Sequence, residues 1–237
     1  MPAADQQQIA RIYIAAMLEA SLHGQAGYRA LFRDERLASA WLPEPITLNR
    51  YEASTVDVLS NSQEDSDLLT TSLPGGAISG ENLAAWSEEQ LPGQINRAVY
   101  LAWDSTGGRY SLSIPSAGVK LSPQRFLVFQ LADAGENPNP AIDLTIEAID
   151  RSGEIARLPL SAFSAVQPAT PVNPYKTGLL MNMPERKESF LASFEFPLAA
   201  FSAVNPGFDP ADLASLHFVF DRTPQGAIVL DNLGFDR

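Results

Sequence analysis

The side chains able to do chemistry fall into three sets. Carboxylates form the first: Glu64, Asp65 and Asp67 cluster, Asp57 stands just before them, and Asp231 lies inside the apolar run Ala227 to Phe235. An unpaired carboxylate in such a run is costly, so Asp231 calls for a bound cation, a basic partner, or donors from backbone and side chains. Calcium is the cation that converging carboxylates and carbonyls would suit, but it collects six or more oxygens and no loop here guarantees them. Aromatic residues form the second set: Trp86, Trp103, Tyr110 and Tyr175. A flat ring stacks on the apolar face of a pyranose. Trp86 and Tyr175, the latter in the Pro-rich loop Pro171 to Lys176, are the candidates for such a platform, whereas Trp103 ends an alternating strand and reads as core. His23 and His217 form the third set. A triad would have to use one of them with no serine marked out for it, because Gly75-Gly76-Ala77-Ile78-Ser79-Gly80 has the wrong spacing for a nucleophile elbow. Both histidines therefore read as core or surface residues. Phosphate-binding glycine loops, His-Glu-x-x-His helices and EF-hand loops are absent from the sequence, so no catalysis is expected from the chain's own residues.

The elements that must position these groups are mostly strands. Leu216, Phe218 and Phe220 alternate with His217, Val219 and Asp221, and after Arg222-Thr223-Pro224-Gln225-Gly226 an apolar run resumes to Phe235, which predicts a β-hairpin. Within its second strand the two-residue period places Val229, Asp231 and Leu233 on one face. Further strands are expected over Ile46 to Tyr51, Thr55 to Leu59, Asn96 to Trp103, Arg109 to Ile114, Arg125 to Ala132, Ala141 to Asp150, Glu154 to Leu160 and Ser189 to Phe196. Turn signals at Asp104 to Gly108 and at Asp150-Arg151-Ser152-Gly153 suit antiparallel connections, and Asp133 and Glu136 beside Asn137-Pro138-Asn139-Pro140 read as a solvated turn. The fold expected is mainly β: a jelly-roll β-sandwich of about ten strands with an N-terminal α-helical segment. Its parts are a helical segment over residues 1–43 and the sandwich over 44–237.

The helical segment has one long helix. Asp5 and Gln8 resemble a capping box, Ile9, Ile12, Tyr13, Ala16, Met17 and Ala20 follow at helical spacing, and Gly24 offers the stop. Ile14, Leu18 and Leu22 add a second apolar row, a stripe wide enough to demand partners on most of the circumference. Docking on the β domain or on another chain is expected through Ile9, Tyr13, Ala16, Met17 and Ala20.

Composition bounds the rest. With 45% hydrophobic residues over 237 positions the chain can bury a real core, and without cysteine it must do so without disulfides. Sixteen basic against 28 acidic residues give a net charge of -12, which disfavours nucleic acid and anionic membrane surfaces. The start, Met1-Pro2-Ala3-Ala4-Asp5, lacks the basic and apolar regions of a signal peptide, and no apolar run approaches spanning length, so a soluble chain, or a piece of one whose targeting signal lies elsewhere, is expected. One internal repeat stands out: Pro159 to Pro168 returns as Pro197 to Pro206, and each copy reads as a strand that turns at proline into a helical turn whose Phe163 or Phe201, with the following Val, plugs an end of the sandwich.

Ala10-Arg11-Ile12-Tyr13-Ile14-Ala15-Ala16-Met17-Leu18-Glu19, Tyr28-Arg29-Ala30-Leu31-Phe32-Arg33-Asp34 and Trp41-Leu42-Pro43 together resemble the end of the catalytic domain of bacterial α/β hydrolases of the esterase, lipase and dienelactone-hydrolase kind. The remainder, with Phe126-Leu127-Val128-Phe129, Asp150-Arg151-Ser152-Gly153 and Ile228 to Phe235, resembles the jelly-roll carbohydrate-binding modules attached to such enzymes and to glycoside hydrolases. The nucleophile elbow and its sheet are not in this sequence, so no catalytic residue carries over. The resemblance implies a C-terminal region: a non-catalytic accessory or binding module whose partner is a hydrolase catalytic domain or a second subunit, with a polysaccharide or other polymer as ligand. An independent carbohydrate-binding module, an interaction domain without a small ligand, or an enzyme whose site is invisible at motif level are the alternatives.

Overall fold

The computed structural model describes residues 2–43, 50–61, 67–90, 97–116, 119–134, 141–172 and 186–236. The chain divides into two compact units, Met1–Glu52 and Ala53–Arg237.

In the first unit, helix α1 runs Ala3–Ser21 and a second, short helix α2 runs Arg29–Arg33. The helix starts at Ala3 behind Pro2, so Asp5 lies inside its first turn and no side chain caps it. Gln8 instead donates from Nε2 to the Trp41 carbonyl at 2.5 Å. Gly24 takes φ +67, the left-handed conformation that ends a helix cheaply only at glycine. Ala16 and Ala20 are buried together with Leu31 and Ala38, and Ile12, Tyr13, Phe32 and Leu42 close around them. Small residues let the later turns approach α1 closely. Met17, grouped with Ala16 and Ala20 in the expected docking face, lies 61% exposed on the other side of α1 with Ile14, Leu18 and Leu22.

The second unit is the expected β-sandwich, and thirteen strands are present among the described residues. They are β1 Asp57–Ser60, β2 Ile78–Glu81, β3 Ala85–Gln90, β4 Arg97–Trp103, β5 Gly108–Ser113, β6 Phe126–Asp133, β7 Thr145–Asp150, β8 Ile155–Pro159, β9 Thr170–Val172, β10 Arg186–Glu188, β11 Ala192–Pro197, β12 Leu213–Phe220 and β13 Gly226–Asp236. One sheet has the order β11-β6-β13-β4-β3, with β1 also on β13; the other has the order β2-β5-β12-β7-β8; β9 and β10 form a separate ribbon. Every strand pair is antiparallel. The predicted Ile46 run falls largely outside the described residues. Four strands were not foreseen: β2 carries Ser, Gly and Glu, β3 carries Ser, Glu and Gln, and β9 and β10 have only three residues each.

The predicted hairpin does not form. β12 is central in one sheet, between β5 and β7, and β13 is central in the other, between β4 and β6. Residues 221–225 therefore carry the chain across the sandwich, and Asp104 to Gly107 does the same between β4 and β5. The two crossings are locked at one end: Trp103 stacks on Phe220 at 4.3 Å, and its indole N–H donates to the Thr223 carbonyl at 2.8 Å. Asp150 to Gly153, by contrast, does join two neighbours, β7 and β8.

Between the sheets lies a continuous core in which Leu127, Phe129, Phe194, Phe196, Leu101 and Ile228 face Leu112, Ile146, Leu158, Leu216 and Phe218. The repeated segments lid it unequally. Phe201, in helix α3 Leu198–Val204, is fully buried and Val166 is 4% exposed, but Phe163 is only partly buried and Val204 is 54% exposed. The second copy has another role at its end, where Asn205 donates from Nδ2 to the Ile155 carbonyl at 3.0 Å and so occupies part of the free edge of β8. Asp133, expected in a solvated turn, ends β6 and is 4% exposed; Glu136 lies outside the described residues.

Candidate functional site

The expected carboxylate site does not assemble among the described residues. Glu64 and Asp65 lie outside them, Asp67 is exposed, and among the described residues no group of three or more His, Cys, Asp or Glu side chains stands close enough to share a metal ion. Asp231 is 3% exposed, but its phase differs from expectation. Between Asp231 and Gly234 the register against β6 slips by one residue, with Asn232 at φ +50 as the extra residue of a β-bulge. Leu233 therefore joins the inter-sheet core while Val229, and Asp231 in phase with it, belong to the outer face of β13. The bulge needs a residue that accepts the left-handed region, and Asn232 does so with its N–H given to Asp231 Oδ1 at 2.9 Å. Two residues on, a Cβ at Gly234 would stand 2.6 Å from the Asp57 carbonyl, so only glycine lets β1 pair there. Asp231→Ala is expected to destabilise the fold by about 1–3 kcal/mol by removing that acceptor from a buried site. Urea unfolding measures it; a near-neutral change would show that the carboxylate is hydrated.

Trp103 and Tyr110 are core residues, 2% and 1% exposed. Trp86 is half-buried, packed edge-to-face on Tyr110 at 5.8 Å and lying over Gly80, where a Cβ would come 2.8 Å from its ring. It points into the sandwich between β3 and the facing sheet. Tyr175 lies outside the described residues. Beside Tyr110 a small cavity is lined by Ser60, Asn61, Val99, Leu230, Asp231 and Leu233, where β1 takes over from β4 along β13. It has room for about one water molecule, too little for a sugar ring. Burial pushes the Tyr110 phenol up, with a hydrogen bond to Ser60 acting the other way.

The groups that do come together lie on the outer face of the five-stranded sheet. In β5, β7, β8 and β12 the inward positions are taken by Tyr110, Leu112, Ile146, Ala148, Ala156, Leu158, Leu216 and Phe218. Period two then turns Arg109, Ser111, Glu147, Arg157, Ser215 and His217 outward. Register aligns them in one row: Arg157 is opposite Glu147, Glu147 opposite His217, His217 opposite Ser111, and Ser111 opposite Ser79. Five strands at ~4.8 Å spacing make this row roughly 19 Å long.

Each member is held. Glu147, 1% exposed, accepts from Arg157 Nε at 2.6 Å and pairs with Arg157 Nη2 at 2.5 Å and with Arg109 Nη1 at 3.3 Å. Two guanidinium groups thus cover a buried carboxylate while keeping donors on the solvent side. His217 lies between hydroxyls, Nε2 at 2.8 Å from Ser215 Oγ and Nδ1 at 2.7 Å from Ser111 Oγ. Burial, then the positive charge of Arg109, holds its imidazole below the usual range against the pull of Glu147 and Glu81. Glu81 is the register partner of Arg109, so two cations and two carboxylates leave the face close to neutral within a chain of net charge -12.

Ser215 and His217 have the spacing of a nucleophile and base, but the other imidazole nitrogen meets a hydroxyl, and the nearby Glu147 carboxylate is engaged by two arginines. An imidazolium formed during acyl transfer would lack the carboxylate that orients and stabilises it in a triad. The signal for this face was present in the alternation Leu216-His217-Phe218 and in Arg109 to Leu112, but only register brings the four strands' polar positions into line.

No family model matches the sequence, and no curated protein matches it. Among solved structures the chain is similar to the family 30 carbohydrate-binding module of a Clostridium thermocellum cellulosomal cellulase, with 14% identity, TM-score 0.44, and 68% of this chain and 90% of that chain covered. It is similar also to a family 11 carbohydrate-binding module from Clostridium thermocellum in complex with a β-1,3-1,4-mixed-linked tetrasaccharide, with 13% identity, TM-score 0.45, and 78% and 97% covered. An exo-β-agarase matches at 9% identity and TM-score 0.45, over 78% of this chain and 25% of that one.

Proposed function

We propose that this chain is a non-catalytic binding β-sandwich that accompanies a hydrolase and holds a neutral polysaccharide against the outer face of its β2-β5-β12-β7-β8 sheet. The observation that carries the reading is the row Arg157, Glu147, His217, Ser111, Ser79, which crosses all five strands. A polyol chain needs donors and acceptors side by side, and the row supplies both. A polyanion would need a net positive surface, and here two guanidinium groups are offset by Glu147 and Glu81. The hydrolase half of the proposal rests on the resemblance of residues 9–43 to the end of such a catalytic domain. It rests also on the exposed apolar stripe of α1, where Ile14, Met17, Leu18 and Leu22 are 47–72% exposed, as a catalytic domain would cover.

Native electrophoresis through gels containing mixed-linkage β-glucan, mannan or agarose oligosaccharides tests the binding. At least one should retard the protein, and Arg157→Ala should weaken that retardation about tenfold, the loss of one charge-assisted hydrogen bond. Equal mobility of the wild type in every gel would defeat the reading. Sequencing the reading frame upstream of residue 1 tests the other half. An adjoining domain with Gly-x-Ser-x-Gly is expected; its absence, with concentration-dependent dimerisation, would give the apolar stripe to a second copy.

A further inference from the structure

We infer that His217 is the positioning residue of the polar row: it fixes which way the Ser111 and Ser215 hydroxyls point, and its proton uptake tightens the hold on a neutral polyol. The inference rests on the polysaccharide-binding reading of the same face. A neutral imidazole has one N–H and one lone pair, so one of the two serines must accept from the ring and the other must donate to it. With Nδ1 and Nε2 at 2.7 and 2.8 Å from the two hydroxyls, both bonds are made and each serine's role is the opposite of its partner's. The serine that donates has spent its proton on the ring; the serine that accepts keeps its proton for an outside acceptor.

Protonation changes the count. An imidazolium donates from both nitrogens, both hydroxyl oxygens then accept, and both hydroxyl protons are free for oxygens of a bound chain. The proton comes from water and no bond other than N–H is formed. One donor is gained, at the centre of the row. Groups facing the ring from the neighbouring strands set where this happens. Arg109 on β5 opposes the added charge, as does burial, while Glu147 on β7 and Glu81 on β2 favour it. Arg157 on β8 is engaged with Glu147 on the side away from the ring's serine partners. A neutral ligand has no charge to respond to, so the change it senses is the extra donor.

The test follows His217 by nitrogen-15 NMR of the ring and follows retention in the polysaccharide gels, both from pH 8 to pH 5. Retention of the wild type should strengthen about threefold to tenfold as the pH falls through the depressed His217 midpoint, the worth of one neutral hydrogen bond. By reciprocity, a saturating oligosaccharide should raise the His217 midpoint by about half to one pH unit. His217→Gln, which keeps a donor and an acceptor but cannot titrate, should bind with no pH dependence over this range. Ser111→Ala should lower retention and flatten its profile while leaving a ring that still titrates. Retention that stays level while the ring titrates would overturn the coupling and leave the binding reading in place. Failure of every polysaccharide to retard the wild type at any pH would overturn the binding reading and the coupling with it.

Discussion

Phe129→Ala should cost about 3–5 kcal/mol of folding stability, the largest loss expected from any single truncation in the sandwich. Phe129 is 1% exposed and lies at the meeting of the two sheets. Within its own sheet it stacks on Phe194 at 5.5 Å and on Phe196 at 6.0 Å. Across the gap it meets Phe218 edge-on at 5.1 Å. Those four rings are held by strands β6, β11 and β12, whose hydrogen bonding prevents the backbone from collapsing into the vacated space. The cavity term therefore adds to the lost transfer energy. Urea unfolding at neutral pH measures the effect. A loss below about 1 kcal/mol would mean that the sheets close around some other cluster.

Asp150→Ala should follow, at about 3 kcal/mol, because a single carboxylate satisfies four donors. Its Oδ1 accepts from Ser152 N at 2.9 Å, Ser152 Oγ at 2.7 Å and Glu154 N at 3.0 Å, and its Oδ2 accepts from Asp209 N at 2.9 Å. Those bonds shape the β7 to β8 turn and fasten it to the segment that leads into β12. Arg151 strengthens the same joint by donating to the Leu213 and Ile114 carbonyls, both at 3.1 Å. Burial works to raise the Asp150 carboxyl, but the Asp209, Ser152 and Glu154 donors outweigh it and hold the group below the usual carboxylate range. The sign of the pH dependence follows: a depressed folded value means that this contribution is present above the unfolded-state pKa and is lost as pH falls through the folded one. Wild-type stability should drop through that acidic window more steeply than that of Asp150→Ala. Parallel curves would show that the turn's donors are satisfied by water.

How much of this was legible depended on whether the information was local. Alternation in Arg125 to Ala132 and in Ser215 to Phe220 placed the core strands, because a strand with one buried face writes its period into the sequence. The Asp150 to Gly153 turn was equally clear, since Gly153 at φ +93 and a side-chain acceptor are local requirements. Asp104 to Gly108 and Arg222 to Gly226 looked no different, yet both cross the sandwich. A tight turn reverses the chain, and whether the returning strand lies beside its predecessor or opposite it is decided by which neighbours fill the edge. Asp231 was placed in phase with Leu233 for a similar reason. One extra residue at Asn232 inverts every later position, and an Asn inside an apolar run carries no visible mark of a bulge. The polar row was hidden most completely: Glu147, Arg157, His217 and Ser111 are ordinary outward residues in four separate strands until pairing aligns them.

Amide chemical-shift mapping with a mixed-linkage β-glucan, mannan or agarose oligosaccharide that binds puts the central claim to its most direct test. The expected changes concentrate on Ser79, Arg109, Ser111, Glu147, Arg157, Ser215 and His217 and fall away along the opposite sheet. Changes confined to β3, β11 or the helical unit, or no changes with any of these sugars, would contradict the account.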